Sequence, residues 1–583
     1  MVRRSVVTGL LATLTGLVLA APAFGAGDPV MPLSQVHRGM RCTARSVVQG
    51  TTISTFDVEV LDVVDGTPDE DARILIRVSG AAVDSTGIGP GFSGSPVYCR
   101  DGNGVNRVAG AISEGIGEYG NKTVLATPIE QILGEPVVPP SSARSRPQLL
   151  RSARPLSLPL AISGLPRSVA SGVQDGARRA HRTLLAAPSG AAGRFSPQPL
   201  IPGASVSVGY SSGDLALGAI GAVTYRDGNN LWAFGHPFDR AGRRSLFLQD
   251  AYVYGVINNP IGSDLSTYKL AAPGHDEGTI TGDATSAVSG TVGALPPATP
   301  VTVTAKDLDT GRLVVSSSSV ADETAVGSPV GELPLDFVTP LAALSAATSL
   351  FHGSPAQQAG RACLRIVIRE ASKPLGFCKR YVFVTGGGDA GGGSGLASAI
   401  ADDVSGALSL VDATSFAALH VRSVRIVIRA QRGPQLAYLR SARAPRAARA
   451  GHRVRVRVRE RRYRAATLAK TYALRLPRKL SPGRHPVVLI GTGEDGFGSS
   501  VSDIFFQVFS DSGSSPSDGG DAGPQSVGAV ARQVSALGGY DGVKAVFPGA
   551  GPRGHPLVTR AFSDRGLRLS GSTRLVVRVA GRR

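Results

Sequence analysis

Apolar positions along this chain come mainly in short runs bounded by turn residues, the pattern of strands rather than long helices. STFDVEVLDVV and ARILIRVSG stand in the first quarter. GASVSVGY, GAIGAVTYRDGNNLWAFGH, GTITGD and TPVTVTAKD come between Ile201 and Asp307, with a hairpin turn at Tyr225–Asn229. VRSVRIVIRA, HRVRVRVRERRYRA and the terminal TRLVVRVAG complete the set. In HRVRVRVRE, Arg453, Arg455, Arg457 and Arg459 alternate with Val454, Val456 and Val458, so period two puts the arginines on one face and the valines on the other. Longer helices are expected over about 335–352 and in LASAIADDVSGALSLV, after the joint Gly386–Gly395. The class is mainly β.

Length and composition agree. The 583 residues suggest three or so folded units, and 74 Gly with 39 Pro imply many turns. The stretch 28–140 is strand-rich. Residues 141–200, which open with SSARSRPQLLRSARPLSLP, read as a basic linker with one short helix. Strands resume over 201–310. An accessory region covers 311–400, a basic β module 401–510, and a flexible segment (Ser510–Gln525) with a terminal β segment 511–583.

The N-terminus carries Arg3 and Arg4, an apolar run from Val6 to Ala21, and an Ala21-Pro22-Ala23 cleavage site. An exported chain is expected, with a signal peptide removed near Ala23. Its four cysteines then become disulfide candidates. Cys363 and Cys378 flank CLRIVIREASKPLGFC, a hairpin they would bridge; Cys42 and Cys99 pair by elimination. The spacing fits no zinc pattern, and no metal or cofactor is expected.

The formal charge is +19. Arg422–Arg484 holds 20 basic residues against one acidic residue, Glu460, and so carries all of it; the rest is formally neutral. No nucleic-acid module signature accompanies this stretch, and its aromatics are few (Tyr438, Tyr463, Tyr472), so nucleic acid is not an expected partner. An anionic envelope polymer or lipid is the candidate, set against a merely solvated strand face.

The sharpest motif is Gly89-Pro90-Gly91-Phe92-Ser93-Gly94-Ser95-Pro96. A serine between glycines in G-x-S-G-[GS]-P is how chymotrypsin-like proteases present a nucleophile. The tight turn aims the amides of Gly91 and Ser93 at one point, an oxyanion hole. Such a serine needs a base. Of nine histidines, His236 stands apart: it comes directly after a hairpin in Leu231-Trp232-Ala233-Phe234-Gly235-His236-Pro237-Phe238, beside the sole Trp.

GAIGAVTYRDGNNLWAFGHPF resembles the His-bearing segment of SpoIVB-type serine peptidases, the sporulation stage IV B family. FDVEVLDVV, ILIRVSGAAVDSTGIGPGFSGSPVY and VAGAISEG resemble its Ser-bearing segment, and YKLAAPGHDEGTITGD the stretch after the His. The resemblance covers about 36–135 and 201–307. It implies a chymotrypsin-like two-barrel peptidase core assembled from two separated halves, with C-terminal β-sandwich-like modules, Ser93 as nucleophile, His236 as general base and a protein or peptide substrate. The halves stand in swapped order, which a triad tolerates because geometry defines it. The family's Asp position, in Val78-Ser79-Gly80, has no carboxylate; Asp84 is the substitute, with Asp239 and Asp250 as rivals. Two functions are expected from this: an exported serine endopeptidase, or a catalytically degenerate envelope scaffold on the same framework.

Overall fold

The computed structural model describes residues 27–580, except 69, 118–119, 157–159, 181–182, 191, 259–266, 328–333, 352–354, 385–394, 446 and 494–523. The expected signal peptide, nearly all of the glycine-rich joint and most of Ser510–Gln525 lie outside the described residues.

Six strands make the first unit: β1 (Arg41–Gln49), β2 (Thr52–Asp65), β3 (Arg73–Ser79), β4 (Pro96–Arg100), β5 (Asn106–Gly115) and β6 (Thr123–Pro128). They hydrogen-bond in the order β1-β4-β5-β6-β3-β2, and β2 returns to β1, so an antiparallel barrel closes. Closure removes the exposed edges that alternating strands would otherwise leave. Inward residues such as Phe56, Val58, Ile74, Ile76, Phe92 and Val97 fill it. Cys42 and Cys99 face each other across β1 and β4 and are bonded. A short helix, α1 (Ile129–Leu133), ends the unit.

The next stretch departs from the linker expected at 141–200. β7 (Arg144–Ser145) pairs with β2, and α2 (Pro147–Ser152) buries Leu150 beside Val64, Leu75 and Leu125. Arg146 reaches Asp62 at 2.6 Å, and β8 (Arg154–Pro155) adds to β5. β9 (Leu160–Ser163) crosses to the second unit, α3 (Arg167–Arg179) inserts Val169 and Val173, and β10 (Leu184–Ala187) pairs with β9. The apolar anchors are single residues spread among Arg, Ser and Pro, so composition hides them.

A second ring comes next: β11 (Ser205–Gly213), β12 (Ala216–Asp227), β13 (Asn230–Ala233), β14 (Gly242–Asn258), β15 (Thr267–Asp283) and β16 (Val288–Val292). Its order β11-β12-β13-β16-β15-β14 closes through β14 on β11 around Val206, Val208, Leu231, Phe234 and Leu246. β12 and β13 are the hairpin expected at Tyr225–Asn229.

β17 (Ala298–Asp307) and β18 (Leu313–Ala321) extend this sheet from β11. β19 (Gln358–Ile368), β20 (Leu375–Phe383) and β21 (Val421–Arg432) continue it, with Cys363 bonded to the opposing Cys378. Helices α4 (Pro334–Thr348), α5 (Leu396–Asp412) and α6 (Val527–Leu537) contribute to the same hydrophobic core. α4 and α5 fall where the sequence places helices.

The remainder is a β-sandwich. One sheet holds β22 (Leu436–Arg443), β23 (Arg453–Arg462), β24 (Thr467–Arg475) and β28 (Arg568–Ser570). The other holds β25 (Gly483–Gly491), β26 (Val543–Phe547), β27 (Leu557–Phe562) and β29 (Ser572–Val579), and one core serves both. The expected module boundaries shift accordingly. β21 belongs to the preceding sheet, and the terminal strands complete the sandwich because its second sheet needs their apolar faces. Among the described residues no helix is long and apolar enough to cross a membrane.

Candidate active site between the barrels

The serine turn leads into β4 and presses on the second barrel. Gly94 adopts φ +89°, and a Cβ there would fall 2.1 Å from the Ala222 carbonyl and 2.5 Å from the Phe234 amide, so only glycine fits. The Ala222 amide donates to the Ser93 carbonyl at 2.8 Å, and Thr224 Oγ1 donates to the Gly94 carbonyl at 2.9 Å. The turn is also braced from below. Ser95 Oγ donates to the Phe92 carbonyl at 2.6 Å and lies 2.8 Å from Ser46 Oγ, which accepts from Lys269 Nζ at 2.7 Å. Burial pushes the Lys269 ammonium down to about 7, and its Nζ lies 4.3 Å from the centroid of the Phe92 ring. The amides of Gly91 and Ser93 donate to no group among the described residues. They are the two donors the sequence assigns to an oxyanion.

His236 is delivered by the hairpin β12–β13. Phe234, buried, takes φ +75° and Gly235 φ +68°, a left-handed pair that turns the chain sharply after β13. A left-handed non-glycine in a core is backbone strain of the kind found at functional sites. The Gly235 carbonyl accepts from Thr127 Oγ1 of the first barrel at 2.7 Å. Beyond His236, Asp283 accepts the amides of Phe238 (2.7 Å), Asp239 (2.8 Å) and Ala241 (3.1 Å), which fixes the loop.

The imidazole is buried. Its Nδ1 lies 2.7 Å from the Pro237 carbonyl, and Nε2 has no hydrogen-bond partner among the described residues. A carbonyl can only accept, so Nδ1 carries the proton and the neutral ring leaves a lone pair on Nε2. Burial lowers the His236 pKa below the ordinary histidine value, partly opposed by the carbonyls of Pro237 and Leu156 and by the charges of Glu114 and Asp283.

Ser93 and His236 meet a third group that the sequence does not flag. The Leu156 carbonyl accepts from Ser93 Oγ at 3.4 Å and also approaches the His236 ring. Leu156 donates its amide to the Ser113 carbonyl at 2.8 Å, and its side chain belongs to the first barrel's core. Ser93 is wholly buried and His236 nearly so.

The expected acids lie elsewhere. Asp84 is exposed in the turn after β3, where Oδ2 accepts from the Gly80 amide and Oδ1 pairs with Lys122 at 2.9 Å. Both lower its pKa, and neither oxygen hydrogen-bonds His236. Asp239 pairs with Arg244 and Tyr210, and Asp250 with His275 and the Gln198 amide. The group at His236 Nδ1 is instead a main-chain carbonyl, that of Pro237. A proline directly after the histidine is the only trace of this in the sequence.

On the sandwich, Arg453, Arg455, Arg457 and Arg459 are exposed and Val454, Val456 and Val458 are buried, as period two requires. None of these four arginines forms an ion pair among the described residues. Compared with family models, curated proteins and solved structures, the chain matches none.

Proposed function

We propose that this protein is an exported serine endopeptidase of SpoIVB type that works through an acyl-enzyme. One observation carries the reading: the buried Ser93 hydroxyl and the buried His236 ring both approach the Leu156 carbonyl, between two closed barrels. Ser93 Oγ attacks a substrate carbonyl while His236 Nε2 takes its proton. The Gly91 and Ser93 amides hold the oxyanion, and His236 returns the proton to the leaving amine. The Pro237 carbonyl keeps Nδ1 protonated, so the base is in the right tautomer without a carboxylate. It stabilises the imidazolium less than a carboxylate would. Two intact disulfides suit folding in an oxidising compartment, and the Arg422–Arg484 stretch suits an anionic envelope polymer or lipid.

The same carbonyl favours a second reading, a peptidase-like scaffold without turnover. Hydrolysis of an unfolded protein substrate decides between them. The peptidase reading expects cleavage by the wild type and a loss of roughly 10⁶-fold in Ser93→Ala. Equal, background cleavage by both leaves the scaffold.

A further inference from the structure

Lys269 is a buried cation that the reaction steps above do not use. It lies on β15 of the second barrel, and its side chain has Ser46 Oγ as its one hydrogen-bond partner among the described residues. Burial is the sole influence on its titration, so no carboxylate compensates the ammonium. A cation buried in this way costs stability that an apolar residue would not.

What Lys269 touches is the serine turn. Its amide donates to the Pro90 carbonyl at 2.9 Å. It packs so closely that a Cβ at Gly91, where φ is +93°, would fall 2.8 Å from its own Cβ. Its Nζ donates to Ser46 Oγ at 2.7 Å, Ser46 Oγ lies 2.8 Å from Ser95 Oγ, and Ser95 Oγ donates to the Phe92 carbonyl at 2.6 Å. A hydroxyl has one proton to donate. Ser95 places its proton on the Phe92 carbonyl, so Ser46 donates to Ser95 and accepts from Lys269. The chain of three bonds therefore runs one way, from the second barrel to the Phe92 carbonyl. Amine and ammonium both carry N–H groups, so it holds on either side of the lysine's titration.

These two carbonyls are the backs of the two oxyanion donors. A peptide unit is planar, and in a trans unit the N–H points opposite to the C=O. No described peptide bond is cis. The Pro90 carbonyl shares its unit with the Gly91 amide, and the Phe92 carbonyl shares its unit with the Ser93 amide. Fixing each carbonyl therefore aims the amide behind it. The main chain of Lys269 holds the first unit. The second is held by the Ser95 amide at 3.0 Å and by the Ser95 hydroxyl, which the chain from Lys269 keeps in place.

We propose that Lys269 is a positioning residue for the oxyanion hole: through Ser46 and Ser95 its side chain fixes the Phe92–Ser93 peptide so that the Ser93 amide faces the developing oxyanion. This rests on the peptidase reading above. The hole is made of first-barrel main chain but held from the second barrel, which also supplies His236, so neither half alone carries a complete site. An oxyanion forms only after the substrate has bound, so loss of aim lowers kcat and leaves KM in place.

The test measures kcat and KM of the full chain on fluorescently labelled unfolded casein. Lys269→Met fills similar space without an N–H. Ser95→Ala removes the last hydroxyl of the chain and leaves the Lys269–Ser46 bond intact. Each is expected to lower kcat at least about tenfold with KM within about twofold of the wild type. The double variant is expected to lose no more than the larger single loss, because both changes break one chain. Urea unfolding shows that each variant is folded in the assay, and a fold defect in one leaves the other to decide. Wild-type kcat in either folded variant, losses that multiply in the double variant, or a raised KM with unchanged kcat overturns the positioning role and leaves the peptidase reading standing. A wild type that neither cuts casein nor labels at Ser93 with a fluorophosphonate removes both.

Discussion

The barrel junction and the arginine face of the sandwich are built in opposite ways. At the junction, polar groups from positions 93, 156 and 236 are buried together and satisfied largely by main chain. On the sandwich, four arginines from one short strand stand in solvent without ion-pair partners among the described residues. The sandwich strands carry much of the net charge, and the proposed chemistry lies in the first region. The difference teaches that charge density and reactivity are separate properties. A reactive serine needs desolvation and fixed donors, whereas an anionic surface is met by many screened, exposed charges.

If that contrast is right, perturbing the junction is costly and perturbing the face is not. Gly94→Ala is expected to be the most damaging to the fold. Its Cβ meets two backbone atoms across the junction at a left-handed φ, so about 3 kcal/mol or more of stability is lost, read as a lower midpoint in urea. Near-wild-type stability would mean that the two barrels are not in contact there.

Lys269→Met separates the regions by pH. In the fold Lys269 titrates near 7, well below its unfolded value, so between about pH 7 and 10.5 the unfolded chain binds more protons than the native one. Stability from this group therefore rises with pH through that window, by an amount on the order of a few kcal/mol. Below it both states are protonated and the cost of the buried charge is fully present. Lys269→Met is expected to flatten the rise, measured by urea unfolding at pH 6.5, 8 and 9.5. An unchanged slope would place the titration elsewhere.

Activity should show the mirror effect of His236. Its pKa lies below the ordinary value, so the neutral base persists under mildly acidic conditions, and hydrolysis falls only as pH drops below about 6.5. An acid limb at or above pH 7 would contradict the burial argument.

The smallest effect is expected on the sandwich. Replacing Arg453, Arg455, Arg457 and Arg459 together by Gln should move stability by no more than about 0.5 kcal/mol per site and leave hydrolysis unchanged. Salt-sensitive retention on an anionic polymer column should weaken. Unaltered retention would identify the face as solvated surface only.

Much of this framework is legible in the sequence. Short apolar runs give the strands, period two gives the arginine face of β23, and the hairpin motif gives the Cys363–Cys378 bridge. Ser93 and His236 are readable because glycine and proline punctuate their turns. What stays hidden depends on tertiary meeting. Leu156 is one leucine in an Arg/Ser/Pro-rich stretch, and only its pairing with β5 makes it part of the site. Pro237 acts through a main-chain carbonyl, which every residue has. Lys269 is a lone cation in the apolar run of β15, a signal visible but without a partner until Ser46 of β1 is seen 2.7 Å away. Asp84 misleads because nearness in sequence to the serine turn does not bring it to a histidine on the other barrel.

The most direct measurement is covalent labelling of the full chain with a fluorophosphonate, located by peptide mass spectrometry, in the wild type and His236→Ala. The expected result is a single adduct on Ser93 in the wild type that His236→Ala slows by orders of magnitude. An adduct on another serine, or equal labelling of Ser93 without His236, would contradict an activated nucleophile at the barrel junction.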